Sequence, residues 1–160
     1  MIKDSSEIML DAVDKAMLRA LQVDARLSNI ELARQIHLSP PATLTRRKRL
    51  EEAGYVDRYV AIVNREKAGY DLLCFIHISL QVHQLAQVEK FRATVRKMPE
   101  VLECHHITGE YDYLLKVAVR DRKDLERFVV GHLTPLPGVA RIHTSLVFTE
   151  VKATTALSLE

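Results

Sequence analysis

The run from Ile36 to Val56, IHLSPPATLTRRKRLEEAGYV, carries a helix start, a basic helix and an abrupt stop in one stretch, and it constrains the chain more than any other. Ser39 suits an N-cap because its hydroxyl can accept from an otherwise unpaired backbone N–H. Pro40 and Pro41 fall in the first turn, where a missing N–H costs little. The helix is expected to run from Pro40 to Ala53, since Gly54 can take the left-handed conformation that ends a helix and Tyr55 and Val56 open a strand-like run. Between Ser39 and Arg49 the charges are Arg46, Arg47, Lys48 and Arg49 against no acid, a local balance of +4. Taken alone, such a helix is either a solvated basic face or a surface for a phosphate backbone.

Its surroundings favour the second reading. Asn29 to His37, NIELARQIH, reads as a short helix with apolar Ile30, Leu32, Ala33 and Ile36, separated from the basic helix by Leu38 and Ser39 alone. Two helices joined that closely form a helix-turn-helix, whose second helix lies in the major groove with its N-terminal residues at base edges. Asp11 can cap a further helix to about Val23, with Leu10, Val13, Met17 and Leu21 on one face, completing a three-helix unit. Tyr55 to Asn64 alternates loosely and is expected to form a wing hairpin. Thr43, Thr45 and Arg46 are the residues expected at bases, and Ser39, Arg47, Arg49 and Arg58 those expected at phosphates. Met1 to Met9 is short and polar and is expected to lack fixed structure.

Charge over the whole chain adds nothing to this. The net charge is +2, with 10 basic against 9 acidic residues over 1–62 and 13 against 12 over 63–160, so the positive field that matters is local. Hydrophobic residues make up 48% of the 160, enough for an ordinary core without staples. Cys74 and Cys104 lie in apolar strand-like runs and are expected as reduced core thiols rather than a disulfide. No secretory signal or apolar run of membrane-spanning length is seen, so a soluble protein of the cytoplasm, at the nucleoid, is expected.

The second half follows a different pattern. A linker is expected at 63–71, where REKAGYD carries charge and Gly69, dividing a winged helix-turn-helix over 1–62 from a second domain over 72–160. Leu72 to Val82 reads as a strand with Leu72, Cys74, Ile76, Ile78, Leu80 and Val82 on one apolar face. Leu85 to Met98 reads as a helix with Leu85, Val88, Phe91, Val95 and Met98 inward. Strands over Val101–Thr108 and Tyr113–Val119 flank a GEYD turn, Asp121 caps a helix to about Leu133, and a last strand runs from Val139 to about Val151. The order βαββαβ is the ferredoxin-like arrangement, an α+β fold with two helices on one face of a four-stranded antiparallel sheet. On the other face Leu73, Phe75, His77, Ser79, Leu114, Lys116 and Ala118 are mixed in polarity, which predicts dimerisation through that face.

The sequence resembles the Lrp/AsnC family, the leucine-responsive regulatory protein and asparagine-regulator group, over nearly its whole length. LDAVDKAMLRALQVDARLSNIELARQIHLSP at Leu10 to Pro40, RxxRLEEAGYV at Arg46 to Val56 and VLECHHITGEYDYLLKV at Val101 to Val117 carry the resemblance. It implies a transcriptional regulator that binds double-stranded DNA through the winged helix, assembles as a homodimer and on to an octamer, and binds an amino acid in its RAM-type βαββαβ domain. It also implies an effector site between dimers around Gly109, Glu110, Tyr111 and Asp112, with Asp112 on the effector's α-ammonium and Thr134, at the end of the second helix, lining the pocket. Similarity to leucine-responsive members implies a hydrophobic effector, leucine or methionine, and no other cofactor.

A carboxylate and the backbone N–H groups of a glycine turn can receive the two ends of an amino acid, though GEYD also suits a plain hairpin turn. One residue departs from the family pattern. Arg47 stands where the family usually has an aliphatic side chain, three residues from both Leu44 and Leu50, so either its head snorkels outward or the helix is rotated.

Other chemistries find less support. Cys104, His105 and His106 alternate faces on a strand and lack a spaced partner set, so no metal is expected. No nucleophile with its base, G-x-S-x-G or phosphate loop appears, which argues against an enzyme. An architectural DNA-binding protein without an effector is the alternative function.

Overall fold

In the computed structural model, which describes residues 9–81 and 85–160, the chain divides into two compact units. The expectations for Met1 to Ile8 and for Val82 lie outside the described residues. The first unit holds the chain up to Ala61 together with Lys152–Glu160, and the second holds Ile62–Val151.

Three helices build the first unit: α1 (Ala12–Val23), α2 (Asn29–Gln35) and α3 (Pro40–Glu52). Each begins at the cap its sequence supplies. Asp11 and Asp14 form a reciprocal capping box at α1, Ser28 and Glu31 form another at α2, and the Ser39 hydroxyl accepts from the Ala42 N–H at α3. The turn between α2 and α3 passes through His37 at φ 55°, a left-handed position, and α3 ends at Gly54 with φ 78°. Met17, Leu18, Leu21, Leu32, Ile36 and Leu50 form the core. Ile30 is 63% exposed, because a seven-residue helix presents one narrow face and Leu32, Ala33 and Ile36 already fill it. The wing differs as well: residues 55–56 bend and 57–64 form no strand.

The second unit is a four-stranded antiparallel sheet in the order β2-β3-β1-β4, built from β1 (Leu72–Leu80), β2 (Val101–His106), β3 (Tyr113–Val119) and β4 (Val139–Leu146). Helix α4 (Leu85–Val95) follows β1. Helix α5 (Arg122–Glu126), capped by Asp121, continues as a π-wound segment, Arg127–Leu133. This is the βαββαβ order the alternation predicts. Cys74, Ile76, Ile78, Leu80, Tyr113, Leu115 and Val117 bury against Phe91, Val95, Phe128 and Leu133. Leu85 is 75% exposed, since it opens α4 ahead of the face that Phe91 and Val95 bury. Cys104 is exposed rather than in the core, because β2 pairs on one side only, with β3, and residues from Leu102 to His106 stay open to solvent. Cys74 is buried, and that burial pushes its thiol pKa up. Both cysteines are free.

One polar interaction ties the first unit together. Asp14, on the inner face of α1, is fully buried, and its carboxylate receives Arg46 at 2.7 Å and Arg49 at 2.6 Å from α3. Removing one partner of a buried pair leaves charge uncompensated. Because the arginine heads are half-exposed, Asp14→Ala should cost about 3 kcal/mol, the lower end for such pairs. Native-state hydrogen exchange of the α1 and α3 amides would show it.

Candidate DNA-binding surface and effector site

The recognition helix is rotated by about one residue from the register that its apolar spacing suggests. Thr43 and Leu50 are the fully buried positions of α3, seven residues apart, while Leu44 is 45% exposed. Thr43 donates to the Ser39 carbonyl at 3.0 Å. This placement corrects the expectation that Thr43 reaches a base, because a fully buried side chain has no surface to offer one.

The rotation also places the arginines. Arg46 donates to Asp11 at 2.6 Å and to Asp14 at 2.7 Å, and Arg49 donates to both Asp14 oxygens at 2.6 Å. The hydrogen bond to Asp14, then that to Asp11, raises the pKa of Arg46. The Asp14 backbone N–H, then Arg46, lowers that of Asp11. In the free protein both arginines are therefore held against α1 rather than projected outward.

Arg47 answers the departure noted in the sequence. Its Nε donates to Glu51 at 2.9 Å, four residues on, and its guanidinium lies 5.1 Å from the centre of the Tyr59 ring. The Tyr59 hydroxyl donates to the same Glu51 carboxylate at 2.7 Å, so the three side chains fasten the wing segment to α3.

The outward positions are Ser39, Thr45, Lys48 and Arg58. Thr45 is exposed with its hydroxyl turned to the Pro41 carbonyl, and Arg58 is exposed beside Asp57 at 3.7 Å. Lys48, passed over at the sequence level, makes no hydrogen bond or ion pair among the described residues. Its signal was the same basic run, without a carboxylate-bearing partner helix to claim it.

In the second unit the GEYD turn joins β2 to β3. Gly109 sits at φ 116°, where a side chain would be strained. The Asp112 carboxylate accepts from the Leu80 N–H at 2.7 Å, and the Asp112 N–H donates to Ile78 at 2.9 Å, so the turn is anchored to the end of β1. Glu110 pairs with Arg141 at 2.9 Å, and the Arg141 guanidinium stacks 4.7 Å above Tyr111. Tyr111 also lies 5.0 Å from His77, which stands opposite His143 across β1 and β4. The sequence offers no sign of this aromatic cluster on the sheet face that carries no helix, because Tyr111, His77 and His143 come from three separate stretches of chain.

Thr134 bonds within its own segment, its hydroxyl donating to the Val129 carbonyl at 2.9 Å. The four turn residues are thus brought together, and Thr134 stands apart at the end of the π-wound stretch. Among the described residues, a groove of about 350 Å³ along α1 and a cavity of about 150 Å³ lined by Tyr70, Glu100, Arg120 and Asp124 both lie away from these five.

Comparison with known proteins gives the same division of labour. Residues 10–57 match the winged helix-turn-helix DNA-binding model and residues 73–157 the Lrp/AsnC ligand binding domain. The chain is 36% identical to the transcriptional regulator AzlB of Bacillus subtilis, covering 96% of this chain and 98% of that one. It is 38% identical to the leucine-responsive regulatory protein of Salmonella typhimurium, covering 94% and 92%. Among solved structures, a transcriptional regulator of Neisseria meningitidis in complex with L-Met superposes with a TM-score of 0.91 at 40% identity, covering 94% of this chain and 97% of that one. Escherichia coli AsnC superposes with a TM-score of 0.85 at 26% identity, covering 93% and 99%.

Two outcomes follow from the placement of charge on α3. Lys48→Ala should lower the slope of log affinity for DNA against log salt by about 1 while leaving the melting midpoint unchanged. Arg46→Ala should lower the midpoint as well. Hydrogen bonding from Tyr59, then from Arg47, holds the Glu51 carboxyl below its ordinary 4.5. Its contribution to stability is therefore complete above that value and is lost as pH falls through the lower, folded one. Acid titration of the wild type beside Glu51→Gln, followed by wing and α3 exchange, should show that loss in the wild type alone.

Proposed function

The chain belongs to the Lrp/AsnC family of transcriptional regulators, and from that premise we propose that it senses a hydrophobic amino acid, leucine or methionine, and answers by changing its assembly and its grip on DNA. It is a DNA-binding regulator with a ligand-binding domain, in a family of regulators rather than enzymes. The observation that carries the effector class is the Neisseria regulator, 40% identical and solved with L-Met.

In this reading the site forms at the Gly109–Asp112 turn. Asp112 supplies the charge that faces the α-ammonium, and the glycine turn offers backbone N–H groups to the α-carboxylate. Thr134 comes from the end of the second helix to line the pocket. The turn lies beside the open sheet face, which suits a pocket completed only when a second dimer meets the first. The dimer itself forms through the open sheet face, where Phe75, His77, Leu114 and Lys116 are half-buried. On DNA, Thr45 is the remaining candidate at a base edge, Ser39, Lys48 and Arg58 meet phosphates, and Arg46, Arg47 and Arg49 hold α3 in place.

Thermal unfolding against each of the twenty amino acids tests the reading, because a native-state ligand raises stability by mass action, about 2.7 kcal/mol at a hundred times its Kd. Leucine or methionine should raise the midpoint, and Asp112→Asn should abolish the rise. The amide retains an acceptor for the Leu80 N–H, so the variant removes charge without the anchor. A chain that no amino acid stabilises, yet that binds DNA with a steep salt dependence and little sequence preference, would instead be the architectural protein.

A further inference from the structure

The last residues of the chain lie along the outer face of α1. The Gln22 side chain makes a two-way pair with the backbone of Leu157, receiving its N–H at 2.6 Å and donating to its carbonyl at 3.2 Å. Arg19 donates to the Leu159 carbonyl and Lys15 to that of Glu160. Lys15, Arg19 and Gln22 follow one another at helical spacing, so α1 presents a row of three donors to successive parts of an extended backbone. Leu159 packs against the first unit's core. The contact therefore has an apolar anchor and a polar rail, and the rail reads backbone rather than side chains.

The inner face of α1, roughly a quarter-turn or more from that row, carries Asp14, which holds Arg46 and Arg49 of α3. The tail and the recognition helix thus grip the same helix from two sides. The chain also crosses between the two units twice, once after Ala61 and once after Val151.

We propose that residues 157–160 form a strap by which the effector unit holds the DNA-binding unit at its second chain end, docked in cis on α1, and that its release weakens DNA binding. The strap steadies α1, α1 steadies Asp14, and Asp14 sets the pose of α3. Any change in the second unit that draws on Val151 pulls directly on this contact. The specificity of the strap rests on Leu159, because the remaining bonds go to backbone atoms that any sequence would supply.

The test uses the full chain. Leu159→Asp should speed hydrogen exchange of the α1 amides roughly tenfold and weaken DNA binding by a similar factor, since one apolar anchor is replaced by a charge. Cross-linking keeps the proposal open to refutation even if that variant folds poorly. In a Cys104→Ser background, Gln22→Cys with Leu157→Cys, treated with a short bifunctional maleimide, should give a cross-link within one chain on a denaturing gel. A cross-linked dimer would show the tail of a second copy in the groove and overturn docking in cis. No cross-link, or unchanged exchange and DNA affinity in Leu159→Asp, would overturn the strap itself.

Discussion

A single carboxylate with no route to water organises the DNA-binding unit. Asp14 stands on the apolar face of α1 among Met17, Leu18 and Leu21, a position where an unpaired charge would be prohibitive. It is tolerable because Arg46 and Arg49 reach it from α3, and because the Asp11 N–H bonds it as the second half of the capping box. Three structural tasks meet there: starting α1, setting the crossing of α1 with α3, and fixing the rotation of α3 about its own axis. Apolar packing alone would leave that rotation loosely specified, for α3 buries only Thr43 and Leu50. Directional hydrogen bonds to one acceptor specify it.

That arrangement recasts what a basic helix means. Four cations in succession suggest an electrostatic face for phosphate, yet three of the four have carboxylate partners within the unit. The positive field is not cancelled, since the four cations face only three partner carboxylates, Asp11, Asp14 and Glu51. Paired in this way, the arginines brace α3 within the unit, and the charge left over belongs to exposed side chains such as Lys48.

Local chemistry was legible in the sequence, and relations between elements were legible only in part. Asp11, Ser39 and Asp121 all act as the caps expected of them, because capping depends on residues three apart. The alternation of Cys74, Ile76, Ile78 and Leu80 gave the buried face of β1, because strand periodicity is strict. The rotation of α3 was not readable, since Leu44, Arg47 and Leu50 fit a helical stripe as well as Thr43, Arg46 and Leu50 do. Only the partner at Asp14, 32 residues from Arg46, decides between them. Cys104 misled for a related reason: an apolar strand reads the same whether central or at an edge. Residues 152–160 carry no periodic pattern, and the contacts of 157–160 with α1 run through backbone atoms and a single apolar side chain, Leu159, too little for a pattern to show.

The turn at Gly109–Asp112 is held by side chains from three directions. Asp112 is anchored through Leu80, Glu110 is paired to Arg141, and Tyr111 rests on a bed of His77 and His143, so the backbone of the turn is preorganised. What such a turn lacks is a second wall. If that wall comes from another dimer, occupancy and assembly become one equilibrium. An amino acid then shifts the protein between states only as far as it binds the assembled form more tightly than the open one. Under that constraint effector affinity depends on protein concentration, and substitutions in the contact between dimers change sensing without touching the ligand.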